Sequence, residues 1–158
     1  MPFKTIIDTK LREFQYKYIM RIVPTNTYLF KCKLAISNLC DFCNSYTETV
    51  NHFFWECQKS QQFWSELKTF LNNKNINITL DLLNISFGVE GKGLHNSPIN
   101  FIIICGKYFI FRSKCIKTLP CFNSFKLYLN KRIEIEKHIA LEKDKLEVHN
   151  KKWEHFII

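Results

Sequence analysis

A small, mostly α-helical domain with a long C-terminal helix is the fold class this sequence predicts. Three observations carry the expectation. Apolar residues recur at helical spacing, as in Ile7, Leu11, Phe14, Tyr18 and Ile22. Only four Gly and four Pro occur in 158 residues, which leaves few places for tight hairpins. Hydrophobic residues make up 46% of the chain and aromatics 15%, enough to pack one core of ordinary size.

The elements follow in order. Residues 5–22 read as an amphipathic helix, with Lys10, Lys17 and Arg21 sharing a face apart from the apolar stripe. Pro24 ends it or starts the next, and residues 25–34 read as a second short helix with Leu29, Phe30 and Leu34 inward. Residues 38–51, rich in Asn, Ser, Thr and Asp, read as loop. A third helix is expected from near Val50 to Leu71, bent around 57–60, with Phe53, Phe63, Trp64, Leu67 and Leu71 as its apolar side. The Asn-rich run 72–77 breaks it, and a short apolar piece, 80–87, follows. Gly88–Gly93 marks a surface loop. Ser97 and Pro98 suit a helix start, and that helix is expected to reach about Lys117. After Pro120 a last long helix, about 122–146, has Phe125, Leu129, Ile133 and Ile139 inward. Trp153, Phe156 and Ile157 in the tail are expected to dock on the body. The chain is expected to form one domain, 1–158, with residues 72–158 its basic helical part.

The formal net charge is +9. It is uneven: residues 1–39 hold seven Lys/Arg against two Asp/Glu, and 101–158 hold twelve against six. Nucleic acid is the usual partner of so basic a chain, ahead of an anionic membrane. The most apolar stretch, 101–111, is too short to cross a bilayer and carries Lys107, so no membrane partner is expected. Lys4, Asp8, Lys10 and Arg12 interrupt any signal-peptide pattern, and seven Cys is an odd number. Both point to a reducing intracellular compartment, nuclear or cytoplasmic, and to metal binding rather than disulfides.

Four residues have metal-ligand spacing. Cys40 and Cys43 form a CxxC knuckle, His52 follows after eight residues, and Cys57 follows after four more. Three sulfurs and one imidazole complete a tetrahedral zinc shell with no position open to water. Such a closed CCHC site is structural, and its binding free energy goes into folding. The other thiols, Cys32, Cys105, Cys115 and Cys121, lack such spacing; three of them sit in apolar or helical segments and read as small core residues.

The stretch from Lys10 to Leu67 resembles the zinc-binding domain that follows the reverse transcriptase in non-LTR (LINE-type) retrotransposons. The shared pattern is a basic, aromatic helix, Pro24-Thr25-Asn26 before a second helix, and CxxC. Glu48, the run Asn51-His-Phe-Phe-Trp-Glu-Cys57, and Phe63-Trp64 complete it. The resemblance places zinc ligands on Cys40, Cys43, His52 and Cys57. It implies help in binding element RNA or target DNA, contact with a reverse transcriptase core, and no catalysis by this part. Met1 stands just before the matched stretch, and no paired-Asp polymerase motif occurs. The sequence thus reads as a C-terminal fragment, a truncated element or a separately expressed remnant.

Candidate phosphate contacts are Lys10, Lys17 and Arg21, with Tyr16 nearby. A second set is Arg112, Lys114, Lys117, Lys126, Lys131 and Arg132. Phe53, Phe54, Trp55, Phe63 and Trp64 read as core around the metal. His95, His138, His149 and His155 form no second cluster, and Glu134, Glu136, Glu142, Asp144 and Glu147 alternate with Lys as a salt-bridged surface. No catalytic triad, phosphate-cradling loop or carboxylate pair is present, so no enzyme is expected. The expected function is sequence-tolerant RNA or DNA binding; the alternatives are a zinc-stapled protein-interaction scaffold and a remnant without present function.

Overall fold

The computed structural model describes residues 6, 8–91 and 96–156. Seven α-helices follow one another among them: α1 (Thr9–Ile19), α2 (Asn26–Lys31), α3 (Gln58–Asn73), α4 (Leu82–Phe87), α5 (Asn96–Cys115), α6 (Phe122–Glu142) and α7 (Leu146–Trp153). A π turn, His52–Glu56, precedes α3. Among the described residues no strand forms, and β pairing is limited to one antiparallel bridge, Leu39 with Thr47.

The helix ends follow from local chemistry. The Asp8 carboxylate caps α1 by accepting the Lys10 and Leu11 backbone N–H groups at 2.8 and 3.1 Å. Asp81 caps α4 through the Asn84 N–H. Five helices close in the same way, on a left-handed residue that is not glycine: Arg21, Lys33, Asn75, Lys117 and Asp144, with φ from 54 to 60°. The N–H after each reaches back to the last turn: Ile22 to Lys17, Leu34 to Leu29, Ile76 to Leu71, Thr118 to Ser113 and Lys145 to Ala140, at 2.8–3.0 Å. These are Schellman closures; Asn75 and Asp144 tolerate the left-handed region, while Arg21, Lys33 and Lys117 disfavour it and still hold the place glycine usually takes.

Helix α5 is the centre. Residues 101–107 are buried without interruption, because α1, α4, α6 and α7 all pack on it. Gly106 permits the closest approach: a Cβ there would lie 3.0 Å from the Trp64 ring of α3. Trp64 is fixed in turn by its indole N–H, which donates to the Phe54 carbonyl at 2.7 Å. Phe63 packs edge-on to Phe125 of α6 at 5.0 Å between centroids, so α3, α5 and α6 share one aromatic seam.

Several expectations need correction. Phe30 and Leu34 are exposed rather than inward, because α2 is six residues long and buries Thr25 and Asn26 instead. Ile22 lies beyond α1 and is exposed. The last long helix stops at Glu142, and Asp144 turns the chain so that α7 folds back on α6. Of the four thiols outside the metal set, three of which were expected in the core, Cys105 alone is buried, while Cys32, Cys115 and Cys121 are exposed. Trp153 and Phe156 are buried as expected. Ile7, Gly93, His95 and Ile157 lie outside the described residues.

Candidate metal centre

The knuckle is built by two turns facing each other. Residues 39–47 form a hairpin-like loop. Cys40 N–H donates to the Tyr46 carbonyl, and the Asn44 N–H donates to the Cys40 carbonyl, each at 2.8 Å. Asn44, at φ 52°, tolerates the left-handed conformation that this turn requires. His52 and Cys57 come from the opposite turn. Five residues apart on an α-helix, they would point roughly 140° from each other. The π turn widens that coil: Cys57 N–H donates to the His52 carbonyl at 2.7 Å, and both side chains reach the same space. Cys57 then leaves the helix at ψ 131°, which kinks the chain into α3.

The ligand atoms of Cys40, Cys43, His52 and Cys57 all lie within 4.8 Å of one another. Cys40 Sγ is 3.9 Å from Cys57 Sγ, and Cys43 Sγ is 3.4 Å from His52 Nε2. A tetrahedral zinc ion with ordinary bond lengths needs about 3.8 Å between two sulfurs and about 3.5 Å between sulfur and nitrogen. The residues fit a structural zinc in both donor chemistry and spacing. Cys40 and Cys57 are fully buried and Cys43 is half-buried, and the four protein donors suffice to fill a tetrahedral shell. In the protein alone, burial pushes the Cys40 thiol up. Burial also acts on Cys43, but the Ser45 and Tyr46 backbone N–H groups and His52 outweigh it and bring that thiol down to about 6.

A buried polar network braces the knuckle from behind. Glu48 is wholly buried. Its Oε1 accepts the Asn26 backbone N–H at 2.8 Å, and its Oε2 accepts the Asp41 N–H at 2.7 Å. The Asn26 amide donates to Asp41 Oδ1 and to the Leu39 carbonyl, both at 2.7 Å. Lys114, from α5, closes the set with ion pairs to Glu48 and Asp41 and a 2.9 Å bond to Asn26 Oδ1. Asp41 is held below the usual carboxylate range: desolvation opposes this, and hydrogen bonds from Lys114 and Asn26 prevail.

The basic residues nominated from sequence scatter. Lys10 and Lys17 line one shallow groove of about 360 Å³ with Tyr108 and Phe111, and Lys17 pairs with Glu13 at 2.7 Å. Arg21 is exposed and donates to Asn51 Oδ1 at 2.6 Å. Arg112, Lys117 and Lys131 are exposed, and Lys126 is half-buried. Two differ from the expectation of free phosphate contacts. The Lys114 ammonium, its side chain 8% exposed, is committed to Asp41 and Glu48. Arg132 pairs with Asp8 and ties α6 to the start of α1. Glu136, expected on a surface ladder, instead accepts from Trp153 and Lys152 of α7.

A second buried network escaped the sequence reading. Lys107 on α5 is fully buried, and its amine meets the Gln15 side-chain carbonyl and the Ser86 carbonyl. Gln15 donates to Ser86 O at 2.8 Å, and the Tyr18 hydroxyl bonds Ser86 Oγ at 2.9 Å. The sequence signal for it is a lysine set inside the apolar run FIIICGKYFIF. Among the described residues no helix is long and apolar enough to cross a membrane.

A comparison with curated proteins finds no match. Residues 1–64, which contain all four ligands, the π turn and Glu48, match the family model described as zinc-binding in reverse transcriptase.

Proposed function

We propose that this protein is a non-catalytic, zinc-structured accessory domain that binds RNA or DNA for a reverse transcriptase of the non-LTR type, in a reducing intracellular compartment. The observation that supports it most is the pairing of the knuckle's acids. Asp41 and Glu48 share the Lys114 ammonium, which offsets one of their two charges, and no Asp or Glu occurs between Glu13 and Asp41, a stretch holding Lys17, Arg21, Lys31 and Lys33. A loaded centre of three thiolates, one imidazole and a divalent cation carries a net negative charge, so attraction of a polyanion falls to the basic residues of this acid-free stretch. The closed ligand shell argues for metal as scaffold, with binding left to surrounding side chains.

The test is titration of the zinc-loaded protein with labelled single-stranded RNA, single-stranded DNA and duplex across a salt series. Binding to any of them that weakens linearly in log–log form as salt rises supports the reading. Absence of binding to all three at low salt removes it.

One observation favours a protein-interaction scaffold as the second reading. Tyr28, Phe30, Leu34, Ile36 and Leu39 are all exposed within twelve residues, an apolar concentration that suits a protein surface. Association through it would hardly respond to salt.

A further inference from the structure

The ring of Tyr46 packs against the ring of His52 at 5.5 Å between centroids, yet the residue stays 68% exposed. Next to His52 in the chain stands Asn51, whose Oδ1 accepts from the Arg21 guanidinium at 2.6 Å. Arg21 itself occupies the left-handed position that ends α1, at φ 60°, so its backbone is set by the Schellman closure. An exposed aromatic thus contacts the metal ligand His52 itself, and an exposed, oriented guanidinium contacts its chain neighbour Asn51. Neither is spent on the core. The bond to Asn51 uses one of the five donors a guanidinium carries.

We propose that Arg21, Asn51 and Tyr46 form the seat of one nucleotide of a single strand, with the base stacked on Tyr46 and its phosphate held by Arg21. The inference rests on the nucleic-acid reading above and assigns it a place. Stacking on an exposed aromatic is tolerant of sequence because every base has a π-face, and a guanidinium recognises phosphate through a planar fork. Asn51 is the positioning residue: it restrains a side chain that would otherwise lose rotamer freedom on binding. His52, fixed by the metal, restrains the Tyr46 ring in the same sense. Of the knuckle's carboxylates, Asp41 and Glu48 share the Lys114 ammonium, and Glu56, at the far end of the π turn, is exposed.

The experiment titrates the full zinc-loaded chain with labelled oligouridylate of about 20 nucleotides and, in parallel, with polyglutamate of similar charge. Tyr46→Ala is expected to lower oligouridylate affinity roughly tenfold, and Tyr46→Phe to retain it, since stacking needs the ring and not the hydroxyl. Arg21→Ala is expected to weaken binding and to reduce the log–log salt slope by about 0.7, the share of one phosphate contact on a single strand. Both side chains are exposed, so bound zinc and the thermal midpoint should match the wild type. If the wild type binds oligouridylate and both Ala variants bind equally well, the seat is overturned while the nucleic-acid reading stands. If the wild type binds no oligonucleotide at all, both fall. If polyglutamate competes fully and Tyr46→Ala changes nothing, the surface takes an acidic protein, and the seat is again overturned.

Discussion

Lys114 Nζ of α5 lies 2.7 Å from Glu48 Oε1, and both side chains are withdrawn from solvent, at 8% and 0% exposure. This pair joins the zinc knuckle to the C-terminal helices: Glu48 lies within the matched residues 1–64 and Lys114 lies fifty residues beyond them. The polar atoms around it are satisfied by Asn26 and Asp41, so the pair sits in a completed network rather than alone.

Lys114→Met should therefore destabilise the protein by about 3–5 kcal/mol, because it strands a buried carboxylate. Adding Glu48→Gln should recover part of that loss, and equilibrium urea unfolding of the two variants measures the difference. Asp41 contributes a pH dependence with a definite sign. Its folded pKa is depressed, so its stabilisation is present above the ordinary carboxylate value and disappears as pH falls through the depressed one. Asp41→Asn should flatten the acid limb of the stability curve.

Zinc removal is expected to unfold the knuckle and loosen α3, since the π turn is held by two ligands of one ion. Apparent binding free energies of structural zinc run to about 10 kcal/mol or more. Chelation should reduce far-ultraviolet circular dichroism and expose Trp64, whose indole leans on the Phe54 carbonyl of the same turn. Cys43→Ser should produce the same change without chelator. A protein that keeps its spectrum after complete metal removal would contradict the assignment of the centre as structural.

Lys107 predicts a rise of stability with pH. Burial lowers its pKa well below the usual lysine range. Between that lowered value and about 10.4 the unfolded chain binds a proton that the folded one does not, so stability grows as pH rises through this window. Lys107→Met should remove this slope, read from denaturant midpoints at pH 7 and pH 9.5.

The left-handed helix ends offer a gain. Lys33 sits at φ 58°, and a non-glycine residue there costs about 1 kcal/mol or more. Lys33→Gly should raise stability by about 0.5–1 kcal/mol after the greater freedom of glycine in the unfolded chain is deducted. The thermal midpoint of the variant checks the sign.

The helical class, the long α5 and the four zinc ligands were legible in the sequence because each is a local pattern. A 3.6-residue apolar period, a Ser-Pro start and a CxxC spacing are set by neighbours along the chain. A bend around 57–60 was expected too, and the chain kinks at Cys57. What only the tertiary structure decided is which charges are inside. Lys114 and Arg112 stand two residues apart with the same sequence signature. One is exposed; the other is drawn in by a carboxylate sixty-six residues earlier in the chain. Likewise Lys107 is buried because Gln15 and Ser86, far away along the chain, present carbonyl oxygens to it. Desolvating a charged or polar group costs several kcal/mol and is tolerated only where partners converge. Convergence is a property of the folded chain, and no spacing along the sequence records it.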